Sequence, residues 1–211
     1  MANLKTRYTD GARRGFFRIG ILLARWGLTA DMLTVFGLVL AVGVVGLILG
    51  GYFVWAALLG IVASVCDAVD GAVARAGVGP TKAGAFLDST TDRISELMIF
   101  GALVYYFARQ GQWWPAVGAL VCMGAAQMVS YARARAESLG VDCKVGLMSR
   151  PERLVLLGLG MLFSGWHLGS TSVLVIVVYL LAALTSLTVV HRMVHVLRKL
   201  RAAGDGPAPA A

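Results

Sequence analysis

Six long apolar stretches constrain the fold of this chain more than any other feature. A bilayer core about 30 Å thick is crossed by about 20 helical residues. We predict spans near residues 32–51, 53–75, 83–108, 113–136, 152–168 and 171–197. Charged residues make up 14% of the 211 residues and hydrophobic residues 58%, whereas a soluble domain carries about a quarter charged residues. The sequence therefore predicts an all-α integral membrane protein with six transmembrane helices and excludes a soluble globular domain.

The two ends of the chain differ from the spans in composition. Between residues 6 and 27, basic and apolar residues alternate at roughly helical spacing, which favours an N-terminal interfacial amphipathic helix within residues 1–30. The alternative is an ordinary solvated basic tail. The low-complexity end, residues 201–211, is predicted to be disordered. We assign residues 1–200 to a single membrane domain.

The distribution of basic residues predicts the orientation in the membrane. An even number of spans places both termini on one side, and that side holds 18 of the 19 Lys and Arg residues, all except Arg109. Basic residues concentrate on the cytoplasmic side of membrane proteins, so we predict a multi-pass protein of the cell membrane with cytoplasmic termini. The net charge of +8 is then explained by topology and by contact with membrane lipids. With no recognition motif beside this charge, we predict no nucleic-acid partner.

Four aspartates lie where two consecutive spans approach the cytoplasmic side. Asp67 and Asp70 are three residues apart, and Asp88 and Asp92 are four apart, so each pair lies on one helix face. Carboxylates within membrane segments are costly and indicate function. Oxygen-only ligands favour Mg²⁺ or Mn²⁺, and four carboxylates balance two such ions, an arrangement used in phosphoryl-type displacements. The alternative is a structural ion-pair network with the nearby cations Arg75, Lys82 and Arg93.

The residues from Asp67 to Asp92 resemble the signature of one enzyme family. The pattern Asp-x2-Asp-Gly-x2-Ala-Arg-x8-Gly-x3-Asp-x3-Asp is similar in every fixed position to that of the CDP-alcohol phosphotransferases. The resemblance implies transfer of a phosphatidyl group from CDP-diacylglycerol, or a related CDP-lipid, to an alcohol with release of CMP. It also implies a homodimer.

The same resemblance implies roles for individual residues. Asp67, Asp70, Asp88 and Asp92 would hold the metal ions, and Asp92 would also act as the general base. The CDP-lipid would contact Asp31, Thr34, Asp70, Gly71, Ala74, Arg75 and Thr81. One position departs from the family pattern, because Ala30 stands where a proline is common.

A second group of charged residues bears on the acceptor alcohol. Arginines in the Tyr131–Glu137 and Ser149–Arg153 segments, together with Arg192, converge on the membrane depth of the aspartates. Such a cluster favours a phosphate on the acceptor. The pattern is similar to that of family members that use inositol 1-phosphate, which implies that Arg133, Arg153 and Arg192 bind its phosphate.

Several alternatives stay open at this point. Arg133 and Arg135 could instead be membrane anchors, and Arg153 could pair with Glu137 or Glu152. Glycerol 3-phosphate is the competing acceptor, since it also carries a phosphate. A divalent-cation carrier is a distant alternative, because intramembrane acids can line an ion path.

Overall fold

The computed structural model describes residues 27–76, 79 and 81–204, without the side chains of residues 74–76. The elements in this part of the chain are α1 (Ala30–Leu49), α2 (Phe53–Ala76), α3 (Lys82–Arg109), α4 (Trp113–Ser138), α5 (Arg150–Leu162), β1 (His167–Leu168), β2 (Thr171–Ser172) and α6 (Val173–Ala202). The predicted N-terminal amphipathic helix and most of the predicted C-terminal tail lie outside the described residues.

Hydroxyl side chains fix where three of these helices begin. Thr29 Oγ1 accepts a hydrogen bond from the Met32 amide at the start of α1, and Thr81 Oγ1 accepts one from the Gly84 amide at the start of α3. Ser172 caps α6 in the same way. These bonds satisfy amides that have no partner within the helix. They place the first residues of α1 and α3, which carry predicted site residues, in defined positions.

The structure confirms a helical membrane protein, but not all six of the predicted spans. Four of the described helices are long and apolar enough to cross a bilayer: α1, α2, α4 and α6. Helix α3 has 28 residues, but the acidic and basic residues of its first half lower its hydropathy. Helix α5 has 13 residues, which at 1.5 Å per residue span about 20 Å. The chain is thus a largely helical multi-pass membrane protein.

The predicted span at 152–168 is wrong at its C-terminal end. Helix α5 ends at Leu162, and the apolar residues that follow enter a small antiparallel hairpin, in which β1 pairs with β2. Gly169 has a φ of 65° at the turn, a conformation that glycine adopts without steric cost. Trp166 and Leu168 are 70% and 75% exposed, so hydropathy alone mistook an apolar loop for the end of a helix.

The last helix also differs from its predicted bounds. It begins at Val173, since β2 occupies residues 171 and 172, and it continues to Ala202. The helix therefore passes both the predicted end of the span at 197 and the predicted domain boundary at 200. Lys199 and Arg201 in its last turn complement the negative end of the helix dipole.

The helices pack around one apolar core. Helix α1 packs on α2 and α3, α4 packs on α3 and α6, and α5 packs on α2 and α6. Ile48, Phe100, Leu103 and Leu181 are almost completely buried in this core. Large apolar side chains also remain exposed along α1, α2, α4 and α6, as lipid-facing surfaces require.

The contact between α5 and α6 depends on a glycine. A Cβ atom on Gly160 would lie 2.8 Å from Cγ1 and 2.9 Å from Cβ of Val177. We expect Gly160→Ala to lower the melting temperature in detergent, because overpacking costs about 1–3 kcal/mol and the better helix propensity of alanine returns at most about 1 kcal/mol. Gly158→Ala is the matched control, because no atom lies within 4 Å of its added Cβ. Equal melting temperatures for the two variants would contradict this packing.

Candidate active site

Three carboxylates meet where α2 ends and α3 begins. Asp67 and Asp70 on α2 and Asp88 on α3 each present a ligand oxygen, and these oxygens lie within 4.8 Å of one another. Like charges this close repel unless a cation lies among them. Carboxylate oxygens are the donors that Mg²⁺ and Mn²⁺ prefer, so the donor set fits a divalent ion. The structure thus brings together three of the four predicted metal ligands.

The fourth aspartate joins this cluster through an arginine. Nη1 of Arg150 lies 2.6 Å from Oδ2 of Asp92 and 2.9 Å from Oδ2 of Asp67. The guanidinium thus links a carboxylate of α3 to one of α2 from the first turn of α5. Of the cations that the sequence suggested as partners, Arg93 instead donates from Nη1 to the Ser89 carbonyl.

Arg150, which lies 58 residues after Asp92, was expected only as part of the arginine cluster near an acceptor phosphate, and its contact with the aspartates was not predicted. One sequence signal could have identified it. Pro151 is typical of the first turn of a helix, and a cation beside it faces the positive end of the helix dipole. An arginine in such a place suggests an acidic partner elsewhere in the fold.

Several predicted CDP-lipid contacts surround the same end of α2. Thr34 Oγ1 donates a hydrogen bond to Oδ2 of Asp70 at 3.0 Å, which ties α1 to the carboxylate cluster. A Cβ atom on Gly84 would lie 3.2 Å from Oδ1 of Asp31 and 3.1 Å from Oγ1 of Thr81, so α1 and α3 approach closely there. Gly71 is half-buried beside Asp70. The side chains of Ala74 and Arg75 lie outside the described part.

Arg153 and Arg192 are buried and hold the segment that precedes α5. Arg153 is 1% exposed; its Nε and Nη2 donate to the two carboxylate oxygens of Glu96 at 2.7 and 2.8 Å, and its Nη1 donates to the Met148 carbonyl. The alternative that Arg153 pairs with Glu137 or Glu152 is therefore wrong for this structure. Arg192 donates from Nε to the Val145 carbonyl and from Nη1 to the Val129 carbonyl.

Arg133 occupies a different environment from the two buried arginines. Its side chain is 49% exposed, and its Nε lies 2.8 Å from Oε1 of Glu137, one turn further along α4. Of the three arginines predicted to bind an acceptor phosphate, Arg153 and Arg192 are therefore buried and already bind protein atoms. Arg133 is exposed and pairs with Glu137 at the surface.

An apolar cavity of about 590 Å³ opens beside the carboxylates. It lies between α1, α2, α3 and α5, and its lining is mainly apolar, with Leu38, Ile61 and Leu154 among the lining residues. Asp67, Asp92 and Arg150 line its polar part. The molecule thus places an apolar volume next to a cation-binding carboxylate cluster, an arrangement suited to a ligand with a charged head and hydrocarbon tails.

Comparison with known proteins agrees with this geometry. The family model described as CDP-alcohol phosphatidyltransferase matches residues 27–196. The phosphatidylinositol phosphate synthase of Mycobacteroides abscessus is 37% identical over 183 residues, covering 83% of this chain and 80% of the relative. The archaetidylinositol phosphate synthase of Methanothermobacter thermautotrophicus is 35% identical over 182 residues, covering 84% and 87%.

Solved structures show the same fold. The crystal structure of Mycobacterium tuberculosis phosphatidylinositol phosphate synthase with CDP-DAG bound matches with a TM-score of 0.80 at 32% identity, covering 87% of this chain and 94% of that one. The structure of that enzyme in complex with manganese and citrate gives a TM-score of 0.77 at 31% identity, covering 86% and 88%. The carboxylate cluster lies within the matched region, and this chain belongs to the CDP-alcohol phosphatidyltransferase family.

Proposed function

We propose that this protein is a phosphatidylinositol phosphate synthase, which transfers the phosphatidyl group of CDP-diacylglycerol, or a related CDP-lipid, to inositol 1-phosphate and releases CMP. The observation that carries the proposal is the cluster of Asp67, Asp70 and Asp88 within 4.8 Å of one another, next to an apolar cavity. A cation site beside a large apolar cavity suits a ligand that has a diphosphate head and lipid tails. Two relatives of this name at 36–37% identity, and a further one solved with CDP-DAG bound at 32% identity, support the choice of substrates.

The carboxylates would hold Mg²⁺ or Mn²⁺, with two ions balancing the four aspartates. A relative solved in complex with manganese supports this cofactor. Bound divalent ions neutralise the diphosphate and polarise its phosphorus–oxygen bonds. Asp67, Asp70 and Asp88 supply the ligand oxygens, and Asp92 adds a fourth carboxylate at the edge of the cluster. Hard oxygen donors from two helices thus meet at one point.

Asp92 would also accept the proton of the attacking hydroxyl. The acceptor oxygen forms a bond to the phosphorus that carries the lipid, the bond from that phosphorus to the CMP oxygen breaks, and the hydroxyl proton passes to the carboxylate. Asp92 suits this role because it adjoins the cluster and lines the cavity. The remaining predicted CDP-lipid contacts are Asp31, Thr34, Gly71, Ala74, Arg75 and Thr81.

Arg133, Arg153 and Arg192 would bind the phosphate of the acceptor. A guanidinium has five N–H donors, so the protein contacts of Arg153 and Arg192 leave donors for a phosphate. Arg133 can exchange its partner most easily, since an exposed ion pair such as that with Glu137 contributes only about 0–1 kcal/mol. Glycerol 3-phosphate carries the same phosphate and is the competing acceptor.

The membrane arrangement is part of the proposal. All six helices would cross the membrane, and the N-terminal segment would form an interfacial helix within a single domain that extends to the end of α6 at Ala202. Both termini and the aspartates would face the cytoplasm, because 18 of 19 Lys and Arg residues would lie on that side. The protein would act as a homodimer in the cell membrane.

The acceptor can be identified by CMP release. We expect the purified protein with CDP-diacylglycerol and Mg²⁺ or Mn²⁺ to release CMP with inositol 1-phosphate, and far less with free inositol, which cannot occupy an arginine-lined phosphate site. Product mass spectrometry identifies the lipid formed. Activity with glycerol 3-phosphate alone would reject the inositol assignment while leaving the family chemistry intact.

The role of Asp92 can be separated from binding. We expect Asp92→Asn to lower kcat by about 10²–10⁴-fold, the usual contribution of a general base, while binding of CDP-diacylglycerol and of at least one Mn²⁺ persists through Asp67, Asp70 and Asp88. Asp142→Asn is the control, since Asp142 is exposed and lies outside the cluster. Retention of full turnover in Asp92→Asn would exclude this carboxylate as the base. Mn²⁺ flux in proteoliposomes without CMP release would instead favour a cation carrier.

Arg133 provides the test of the phosphate site. We expect Arg133→Gln to raise the KM for inositol 1-phosphate by about tenfold or more, because a hydrogen bond to a charged group contributes about 1.5–3 kcal/mol. The KM for CDP-diacylglycerol and the melting temperature should stay close to those of the wild type. Arg135→Gln removes an exposed arginine from the same helix and serves as the control. An equal KM change in both variants would indicate a general charge effect.

A further inference from the structure

Arg150 has a role that the chemistry above does not use. We infer that its guanidinium is a built-in counter-cation, which occupies the space between Asp67 and Asp92 when no divalent ion lies there and leaves when the second ion binds. This inference rests on the proposed function, because it assumes that the aspartates bind divalent ions.

The contacts of Arg150 place one positive charge between two helices. A single atom, Nη1, lies 2.9 Å from an oxygen of Asp67 and 2.6 Å from an oxygen of Asp92. Among the described side chains, no other Lys or Arg lies within 4 Å of an oxygen of Asp67, Asp70, Asp88 or Asp92. This guanidinium is therefore the nearest described neutralising charge for the cluster.

Few interactions other than these two ion pairs stabilise Arg150 in its position. It begins α5, directly before Pro151, where the helix dipole disfavours a cation. Its Nε is buried without a hydrogen-bond partner among the described residues, and such a donor lowers stability. The carboxylates thus hold the side chain in a place that the helix and its own hydrogen bonding do not favour. A group held in this way is readily displaced.

A divalent ion and this guanidinium compete for the same oxygens. Mg²⁺ binds carboxylate oxygens at about 2.0–2.1 Å, whereas Nη1 already occupies hydrogen-bonding distance from one oxygen of each carboxylate. Two cations this close repel strongly. By linkage, each one weakens the binding of the other to the same degree. Arg150 therefore stabilises the metal-free protein and lowers its affinity for the second ion.

A Mn²⁺ titration followed by electron paramagnetic resonance measures this competition, since free Mn²⁺ is counted directly. We expect Arg150→Gln to bind the weaker of two Mn²⁺ ions about tenfold more tightly than the wild type. In EDTA the variant should melt at a lower temperature, and Mn²⁺ should reduce or reverse the difference. Arg109→Gln also removes one arginine charge, but at the end of α3 opposite to Asp88 and Asp92. This variant should match the wild type in both measurements. Unchanged or weaker Mn²⁺ binding in Arg150→Gln would overturn the inference.

Chemical modification tests the wild type without relying on a variant. We expect phenylglyoxal to modify Arg150 slowly in EDTA and several-fold faster with Mn²⁺, because the ion releases the guanidinium from the carboxylates. Trypsin leaves the Arg150–Pro151 bond intact, so Arg150 is followed in the peptide from Val145 to Arg153, and cleavage after Arg153 reports that this buried arginine has stayed unmodified. An equal or lower rate with Mn²⁺ would contradict displacement.

A further variant separates failure of this inference from failure of the proposed function. If the wild type binds no more Mn²⁺ than Asp70→Asn, the metal site itself is absent, and both proposals fail. If the wild type binds two ions, and neither their affinity nor the reactivity of Arg150 changes as described, the metal site stands and the counter-cation role alone is rejected. A variant Arg150→Gln that folds only when Mn²⁺ is present would support the role.

Discussion

Repulsion among carboxylates at the junction of α2 and α3 is the constraint on which the rest of the site depends. Asp67, Asp70 and Asp88 hold their oxygens within 4.8 Å of one another, in segments that border on hydrocarbon. Carboxylates in such segments are costly and indicate a functional site, and oxygen donors this close together suit a divalent cation. The neighbouring contacts fit this requirement: the Thr34 hydroxyl donates to Asp70, and Arg150 bridges two of the acidic groups.

A second ion pair, between Glu96 and Arg153, lies deeper in the helix bundle. Both side chains are almost fully buried, and two hydrogen bonds join them. Removing one partner of such a pair costs about 3–5 kcal/mol, because the other charge is left uncompensated. Arg153 also binds the Met148 carbonyl, and Arg192 binds the Val145 carbonyl from α6. The segment that leads into Arg150 is thus fixed from two sides by buried arginines.

The sequence was sufficient for features that depend on local spacing. Separations of three and four residues placed each aspartate pair on one helix face, and the structure joins Asp67, Asp70 and Asp88 in one cluster. Hydropathy located the long spans, but it misplaced the end of α5, because Phe163, Trp166 and Leu168 make the segment that follows this helix as apolar as a span. The partners of Arg150 and Arg153 could not be predicted, because Asp67, Asp92 and Glu96 lie 83, 58 and 57 residues away in sequence, and only the tertiary fold brings them together.

Helix α5 contacts both the carboxylate cluster and the buried Glu96. Its first turn carries Arg150 toward the carboxylates and Arg153 toward Glu96, while Gly160 near its other end allows α6 to approach. The first turn of one short helix therefore contacts the carboxylate cluster and the buried ion pair, and its other end contacts the last helix. A shift of α5 along its axis would move both arginines together, so the carboxylate cluster and the Glu96–Arg153 pair are coupled through this helix. The shortness of α5 favours this coupling, since few residues separate the charged end of the helix from its packed end.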